Sequence, residues 1–243
     1  MRPFVSSRLF GLSAFPSLLL WAGAVLFTEG LGAQEVYRPD LAGIAGGNGW
    51  TLHNRGVEIR TEGGEVHAVF DGRPGDGAAW LDELQLENGE IEIRIRGKNV
   101  PQRSFVGIAF RGLDDEIYDA VYFRPFNFLA DNPVSRSHSV QYVSHPDHTW
   151  ARLREEHTGT YENSLSNPPD PDGFFRVRIV LEKPQVRVFV NDEAEPCLVV
   201  EELTDRRGGR IGLWMGNNSD GTFADLEVRS SGVGSGAGSG KHP

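Results

Sequence analysis

Short segments in which apolar and polar residues alternate, as they do in β-strands, constrain the fold of this chain more than any other feature of its sequence. In residues 90–96, Ile91, Ile93 and Ile95 alternate with charged residues, so in an extended segment the isoleucines all point to one side. Gly, Asp and Asn between such segments are typical of turns. Further segments with strand signals are residues 57–59, 65–70, 105–111, 175–181, 186–190, 210–215 and 223–228.

These segments predict an all-β fold. Residues 150–156 are the best helical window, and they predict one or two turns at most. Pro184 and Gln185 separate two apolar stripes and predict a hairpin. Many short strands without intervening helices are typical of a sandwich or barrel. Because each strand has one apolar face, we expect a two-sheet antiparallel β-sandwich over residues 34–229, with both outer faces exposed to water.

The two ends of the chain differ from this pattern. Residues 1–33 combine Arg2 and Arg8 with an apolar run at 18–27 and a small residue before Gln34, which predicts a secretory signal peptide. An uncleaved membrane anchor is the alternative, but the run is short for a span. We therefore expect a secreted or periplasmic protein with no membrane span after cleavage. The Gly/Ser-rich residues 230–243 predict a disordered tail.

Charge and cysteine content exclude several classes of function. The formal net charge is −10 and no extended Lys/Arg run exists, so we expect no nucleic acid partner. The single cysteine, Cys197, precludes an intrachain disulfide, and we interpret it as a buried structural thiol. The sequence has no serine-hydrolase elbow, phosphate loop or dinucleotide fingerprint, and we predict no cofactor. It leaves the oligomeric state open.

Two aromatic and polar stretches, residues 118–128 and 139–150, begin like strands and continue into loops. On a strand over 118–124, Tyr122 and Arg124 share one face. On the preceding strand, Gly107, Ala109 and Arg111 share the face that is not apolar. Small residues beside Arg and Tyr predict a depression over the sheet.

The side chains around this depression combine aromatic rings with hydrogen-bonding groups, which suit saccharide binding. The alternative is that the aromatic residues pack the sheet and the arginines are solvated. The predicted binding residues are Arg111, Tyr122, Arg124, Asn127, Gln141, Tyr142, His145 and Trp150.

The order of these segments resembles the concanavalin A-like lectin/glucanase jelly roll. The resemblance rests on Gly-Ile-Ala-Phe-Arg111, the strand from Tyr118, the hairpin ending at Asp192, and Gly-Arg-Ile-Gly-Leu-Trp214 near the end. The pattern is similar in particular to the exported 3-keto-disaccharide hydrolase domain family. The resemblance implies a jelly roll with a concave sheet that faces a saccharide, and processing of glycosides or 3-keto-glycosides by hydrolysis or elimination.

One glucanase feature is missing from the sequence. Glucanases of this fold carry three alternating acids on one strand, whereas here Arg94 follows Glu90 and Glu92. The two-carboxylate machinery of glycosidases therefore lacks support at this locus. A non-catalytic carbohydrate-binding (lectin-like) or adhesive module is the alternative, and an interaction module without a sugar ligand is a third hypothesis.

Candidate catalytic residues lie in the segment 145–162. Glu155, Glu162 and His148 are suitable proton-transfer groups, although each is also a plausible solvated side chain. His145 and His148 could ligate a metal, and the turn at residues 217–221 could bind calcium, but neither has the spacing of a defined site. We predict no bound metal.

Overall fold

The computed structural model describes residues 35–231. The predicted signal peptide and the predicted disordered tail lie outside these residues, apart from Ser230 and Ser231. Within them the chain forms two antiparallel β-sheets that face each other, which confirms the predicted all-β sandwich. No helix of the described part is long and apolar enough to cross a bilayer.

The first sheet has eight strands, in the spatial order β13-β12-β11-β6-β15-β4-β3, with β1 also paired to β15. Its strands are β1 (Glu35–Tyr37), β3 (Val57–Glu62), β4 (Glu65–Phe70), β6 (Gly89–Arg96), β11 (Phe174–Glu182), β12 (Gln185–Val190), β13 (Leu198–Glu201) and β15 (Gly221–Ser230). The hairpin predicted at Pro184 joins β11 to β12.

The second sheet has seven strands, in the order β10-β9-β8-β7-β14-β5-β2. Its strands are β2 (Trp50–His53), β5 (Gly77–Leu81), β7 (Val106–Gly112), β8 (Asp119–Phe123), β9 (Val140–Ser144), β10 (Glu162–Asn163) and β14 (Arg210–Met215). We call the side of this sheet that is turned away from the first sheet the outer face.

Helices are short and occur in the connections. A 3₁₀ helix spans Leu41–Gly46. Two four-residue helices, α1 (Pro125–Phe128) and α2 (Pro133–Arg136), follow β8. The predicted helical window forms α3 (Trp150–Glu156), where the side chain of Thr149 caps the first turn by accepting from the backbone N–H of Arg152.

The main core lies between the two sheets, and strand alternation places its residues there. Ile91, Ile93 and Ile95 of β6 are all buried, whereas the intervening residues are partly exposed. On β7 and β8 the same face supplies Phe110 and Val121. Burial of these apolar side chains is the dominant favourable contribution to folding.

The outer face of the second sheet is not open to water as the sequence predicted. Every residue of β5, β7, β8 and β9 is buried on both sides of the sheet. A second apolar cluster on the outer face accounts for this burial, and it includes Leu153 of α3. This cluster consists of Ala78, Trp80, Ala109, Tyr118, Ala120, Tyr122, Val143, Leu153 and Trp214.

Candidate functional site

One row of cross-strand neighbours organises the outer face. Gly107 of β7 is paired with Trp214 on one side and Tyr122 on the other. Tyr122 is paired with Gln141, and Gln141 with Glu162 of β10. Directly paired residues of antiparallel strands point to the same side, so the sheet places these side chains together.

Arg124 joins this row just after β8 ends. Its Nη2 donates to the hydroxyl of Tyr122 (2.6 Å) and to Oε1 of Gln141. Its Nη1 donates to the backbone carbonyl of His138 (2.9 Å), which Asn127 also contacts through Nδ2 (3.3 Å). Burial lowers the pKa of Arg124 from its usual value. These bonds fix the position of residue 138 relative to the sheet.

The hydroxyl of Tyr122 links two neighbours. Burial raises the pKa of Tyr122 to about 12, so the phenol stays protonated at neutral pH. It donates to Oε1 of Gln141 (3.0 Å) and accepts from Arg124. Gln141 therefore presents its carbonyl oxygen to this pair. The structure gives the amide Nε2 of Gln141 no partner among the described residues, although the side chain is fully buried.

Glu162 lies at the end of the row beside three groups that reach the surface. Its carboxylate accepts from Nε (3.1 Å) and Nη2 (2.7 Å) of Arg154, and lies 2.8 Å from Nδ1 of His138. The guanidinium of Arg154 also lies 5.3 Å from the ring centroid of Trp150, one helical turn earlier on α3. We call Trp150, Arg154, His138 and Glu162 the Trp150 surface.

Trp150 is the exposed aromatic group of this surface. Half of the residue (51%) is accessible to solvent, while Trp80 of β5 and Trp214 of β14 are buried. Burial, and the arginines 154 and 124, lower the pKa of His138, while Glu162 opposes this shift. The imidazole is therefore neutral at pH 7.

Arg111 does not belong to this surface, and its predicted place there is wrong. Its guanidinium is buried and donates to the carboxylate of Glu202, which follows β13 of the first sheet. It also lies 3.9 Å from Asp119, on the inner side of β8. The cause is a β-bulge: the pairing of β14 with β7 shifts between Arg210 and Gly212, and Arg111 has φ 52°.

Tyr142 also points into the core, so its predicted place at the depression is wrong. It follows Gln141 in β9 and therefore lies on the opposite side of the strand. Its ring packs against Phe110, with centroids 6.3 Å apart, in the cluster between the sheets. Burial raises its pKa well above the usual range.

The predicted depression over small residues is filled by an aromatic side chain. Gly212, Ala109 and Ala120 are neighbours across β14, β7 and β8. The indole of Trp80 covers this position, because a Cβ added at Gly212 would lie 2.8 Å from Cε3 of Trp80. Trp80 in turn packs edge-on against Tyr118 (centroids 5.7 Å).

The remaining predicted residues lie apart from Glu162. His145 stacks on Tyr118 (centroids 4.9 Å), and burial lowers its pKa although Asp76 opposes the shift. His148 lies in the loop before α3, where its backbone pairs with Ser144. Glu155 is exposed on α3. Within residues 35–231 no group of three or more metal-ligating side chains forms a candidate metal site.

The sequence prediction missed several groups of the outer face. Arg154 and His138 both lie at the Trp150 surface. The four-residue spacing of Trp150 and Arg154 on the predicted helix could have indicated that Arg154 lies beside Trp150. Asp76 accepts from the hydroxyl of Tyr118 (3.4 Å), which also accepts from Nε1 of Trp214 (3.1 Å). Burial raises the pKa of Asp76. No strand pattern marked this carboxylate.

Solved structures resemble this sandwich. The carbohydrate-binding module CBM66 from Bacillus subtilis superposes with a TM-score of 0.51 and 14% identity, over 74% of this chain and 94% of that module. The fold is galectin-like. A Bacillus subtilis protein of unknown function with a galectin-like fold superposes with a TM-score of 0.50 and 14% identity, over 80% of this chain and 94% of that one.

Sequence comparisons add nothing to this structural likeness. No protein-family model matches the chain, and no curated protein sequence matches it. The resemblance to the 3-keto-disaccharide hydrolase domain family therefore rests on the pattern of strands and turns alone. An identity of 14% with the solved structures shows the fold, and function has to be argued from the site.

Proposed function

We propose that this chain is a saccharide-binding protein whose ligand lies on the Trp150 surface. The observation that carries the proposal is the exposure of Trp150, of which 51% is accessible, next to Arg154, which is held by Glu162 together with His138. Sugar rings stack their C–H faces on aromatic rings, and their hydroxyls bind planar polar groups.

The rigidity of the surface supports this proposal. Glu162 holds Arg154 through two hydrogen bonds, and Arg124 with Asn127 holds the carbonyl of His138. Because hydrogen bonds already order these side chains, the protein would lose little conformational entropy when a ligand binds. The similarity in fold to the carbohydrate-binding module CBM66 is consistent with a sugar ligand.

Isothermal titration calorimetry against a panel of oligosaccharides tests the proposal. We expect saturable binding of at least one glycan, and a loss of affinity of at least about tenfold in Trp150→Ala. Val199→Ala is the matched control, since Val199 is also exposed (47%) but lies on β13 of the other sheet. Absence of binding to every glycan, or equal affinities of Trp150→Ala and wild type, would contradict the proposal.

Processing of glycosides or 3-keto-glycosides by hydrolysis or elimination is a second candidate function. The observation in its favour is the neutral imidazole of His138 with Nδ1 at 2.8 Å from Glu162, because a neutral imidazole can accept a proton from a bound substrate. Glu162 itself is less suited to proton transfer, since both of its oxygens accept from Arg154.

Turnover assays with glycosides and 3-keto-glycosides separate the two functions. If the chain is an enzyme, His138→Gln lowers kcat by at least about 100-fold, a larger effect than its effect on glycan affinity. Glu155→Gln is the control on exposed α3. Absence of product from every substrate, together with saturable binding, leaves the non-catalytic module.

Export of the protein, to the periplasm or out of the cell, is part of the same proposal. It rests on the apolar run and the small residue before Gln34 in the sequence. N-terminal sequencing of the protein recovered from the periplasm or the medium tests it. A mature chain that begins at Gln34 is expected, and retention of the intact N-terminus in the cytoplasm contradicts it.

A further inference from the structure

Two arginines, one at the Trp150 surface and one buried beneath it, lie near the carboxylate of Glu162. Besides burial, the nearby charge of Arg154 lowers the pKa of Arg124, and the carboxylate of Glu162 opposes this shift. His138, the remaining titratable neighbour, is neutral at pH 7. Among these groups two guanidinium charges therefore share one carboxylate, although the whole chain carries a net charge of −10.

Hydrogen-bond donors also outnumber acceptors there. Arg154 uses Nε and Nη2 on Glu162, which leaves Nη1 without a partner among the described residues, and a third of its side chain (32%) is accessible. A free guanidinium N–H that solvent reaches favours an anionic group with several acceptor oxygens.

We propose that the saccharide bound by this surface is acidic, with a carboxylate or sulfate group on Arg154 and a sugar ring on Trp150. This inference rests on the proposed saccharide binding and specifies its ligand. Guanidinium groups bind planar carboxylates and sulfate-like oxyanions through two parallel hydrogen bonds. The guanidinium carbon of Arg154 lies 5.3 Å from the ring centroid of Trp150, so one oligosaccharide is long enough to contact both side chains.

Two matched pairs of probes test the charge of the ligand on the wild-type protein. The first pair is oligogalacturonate and its methyl ester, which differ only in the free carboxylate. The second is a sulfated galactan oligosaccharide and its desulfated form. We expect the acidic member of one pair to bind at least about tenfold more tightly than its neutral partner at low salt, and added NaCl to reduce this difference.

Variants locate the effect at Arg154. Arg154→Lys keeps the charge but loses the bidentate geometry, so we expect it to reduce the acidic preference by about threefold or more while circular dichroism stays native. Arg187→Gln, a partly exposed arginine on β12 of the other sheet, is the control and keeps the preference. An acidic preference that Arg154→Lys leaves unchanged overturns the assignment to this residue.

The outcomes distinguish this inference from the proposal beneath it. A preference in the first pair assigns the anion to a uronic acid, and a preference in the second assigns it to a sulfate ester. Equal binding of acidic and neutral members in both pairs overturns the inference and leaves saccharide binding intact. No binding of these four probes or of any other glycan overturns both.

Discussion

The guanidinium of Arg111 and the carboxylate of Glu202 form an ion pair that joins the two sheets of the sandwich. Both side chains are buried, with 0% and 2% of their surface accessible. Lys183 lies 3.4 Å from the other oxygen of Glu202, and Arg206 pairs with Asp119 beside Arg111. The pair therefore belongs to a buried network at the junction of the sheets.

Removing one member of this pair should destabilise the protein strongly. Arg111→Met leaves the carboxylate of Glu202 buried with Lys183 as its remaining partner, and we expect a loss of about 3–5 kcal/mol in the free energy of unfolding. Urea denaturation followed by circular dichroism measures this loss. The double variant Arg111→Met/Glu202→Gln should recover part of it, because no uncompensated carboxylate remains.

A surface arginine serves as the control for this prediction. Arg60 pairs with Glu58 on β3, where 47% and 64% of the two side chains are accessible. Exposed pairs contribute little, so Arg60→Met should leave the urea midpoint nearly unchanged. Equal losses of unfolding free energy in Arg111→Met and Arg60→Met would contradict the prediction that breaking the buried pair costs more than breaking the exposed one.

Gly212 is required by the position of Trp80. An added Cβ would lie 2.8 Å from the indole, closer than real Cβ atoms come, so Gly212→Ala should cost about 1–3 kcal/mol. Gly208→Ala is the matched substitution, since its nearest neighbours lie at 3.6 Å or more, and it should be neutral or slightly stabilising. Thermal unfolding of both variants tests this contrast, which equal midpoints would contradict.

The strands were most readily predicted where apolar and polar residues alternate, as in β6, whose residues are alternately buried and partly exposed. The predicted bounds 65–70 and 210–215 coincide with β4 and β14. In β5, the sequence Gly-Ala-Ala-Trp-Leu is buried on both faces and has no alternation, so it was missed. β10 consists of two residues and has no periodicity to recognise.

The outer face was predictable only as far as strand parity holds. Parity placed Tyr122 and Arg124 on one side of the sheet and left open which of Gln141 and Tyr142 joins them; the structure joins Gln141 to both by hydrogen bonds. The bulge at Arg111 reverses parity, and such an irregularity is specified by long-range contacts rather than by local sequence. The approach of His138 to Glu162 depends in the same way on how the loop after β8 folds back.

His145 should make the stability of the protein depend on pH. Its pKa is lowered mainly by burial and also by Arg206, with Asp76 and Asp119 opposing, so the folded state binds fewer protons than the unfolded state. Stability is therefore complete above the unfolded pKa of about 6.5 and declines as pH falls through the folded pKa.

Substitution of His145 isolates this contribution. His145→Phe keeps an aromatic ring against Tyr118 but cannot titrate, so the loss of stability between pH 7 and pH 5 should be smaller than in wild type. Asp76 is a second group whose titration affects the comparison. Burial raises its pKa, so its contribution to stability increases as the pH falls, opposite to that of His145. Asp76→Asn in both wild type and His145→Phe removes this contribution, and an identical pH dependence of the unfolding free energy in the two resulting proteins would contradict the prediction.

Cys197 should react slowly in the folded protein, in keeping with a structural thiol. Burial raises its pKa to about 12, and the thiolate is the reactive form. At pH 8 the folded protein then holds about 10³-fold less thiolate than an unfolded chain with a free-cysteine pKa of about 8.5. Alkylation by iodoacetamide, followed by mass spectrometry, should be slower by a comparable factor in buffer than in guanidinium chloride. Similar rates in the two solutions would mean that the thiol next to β13 is accessible and ionised, and would contradict the structural interpretation of Cys197.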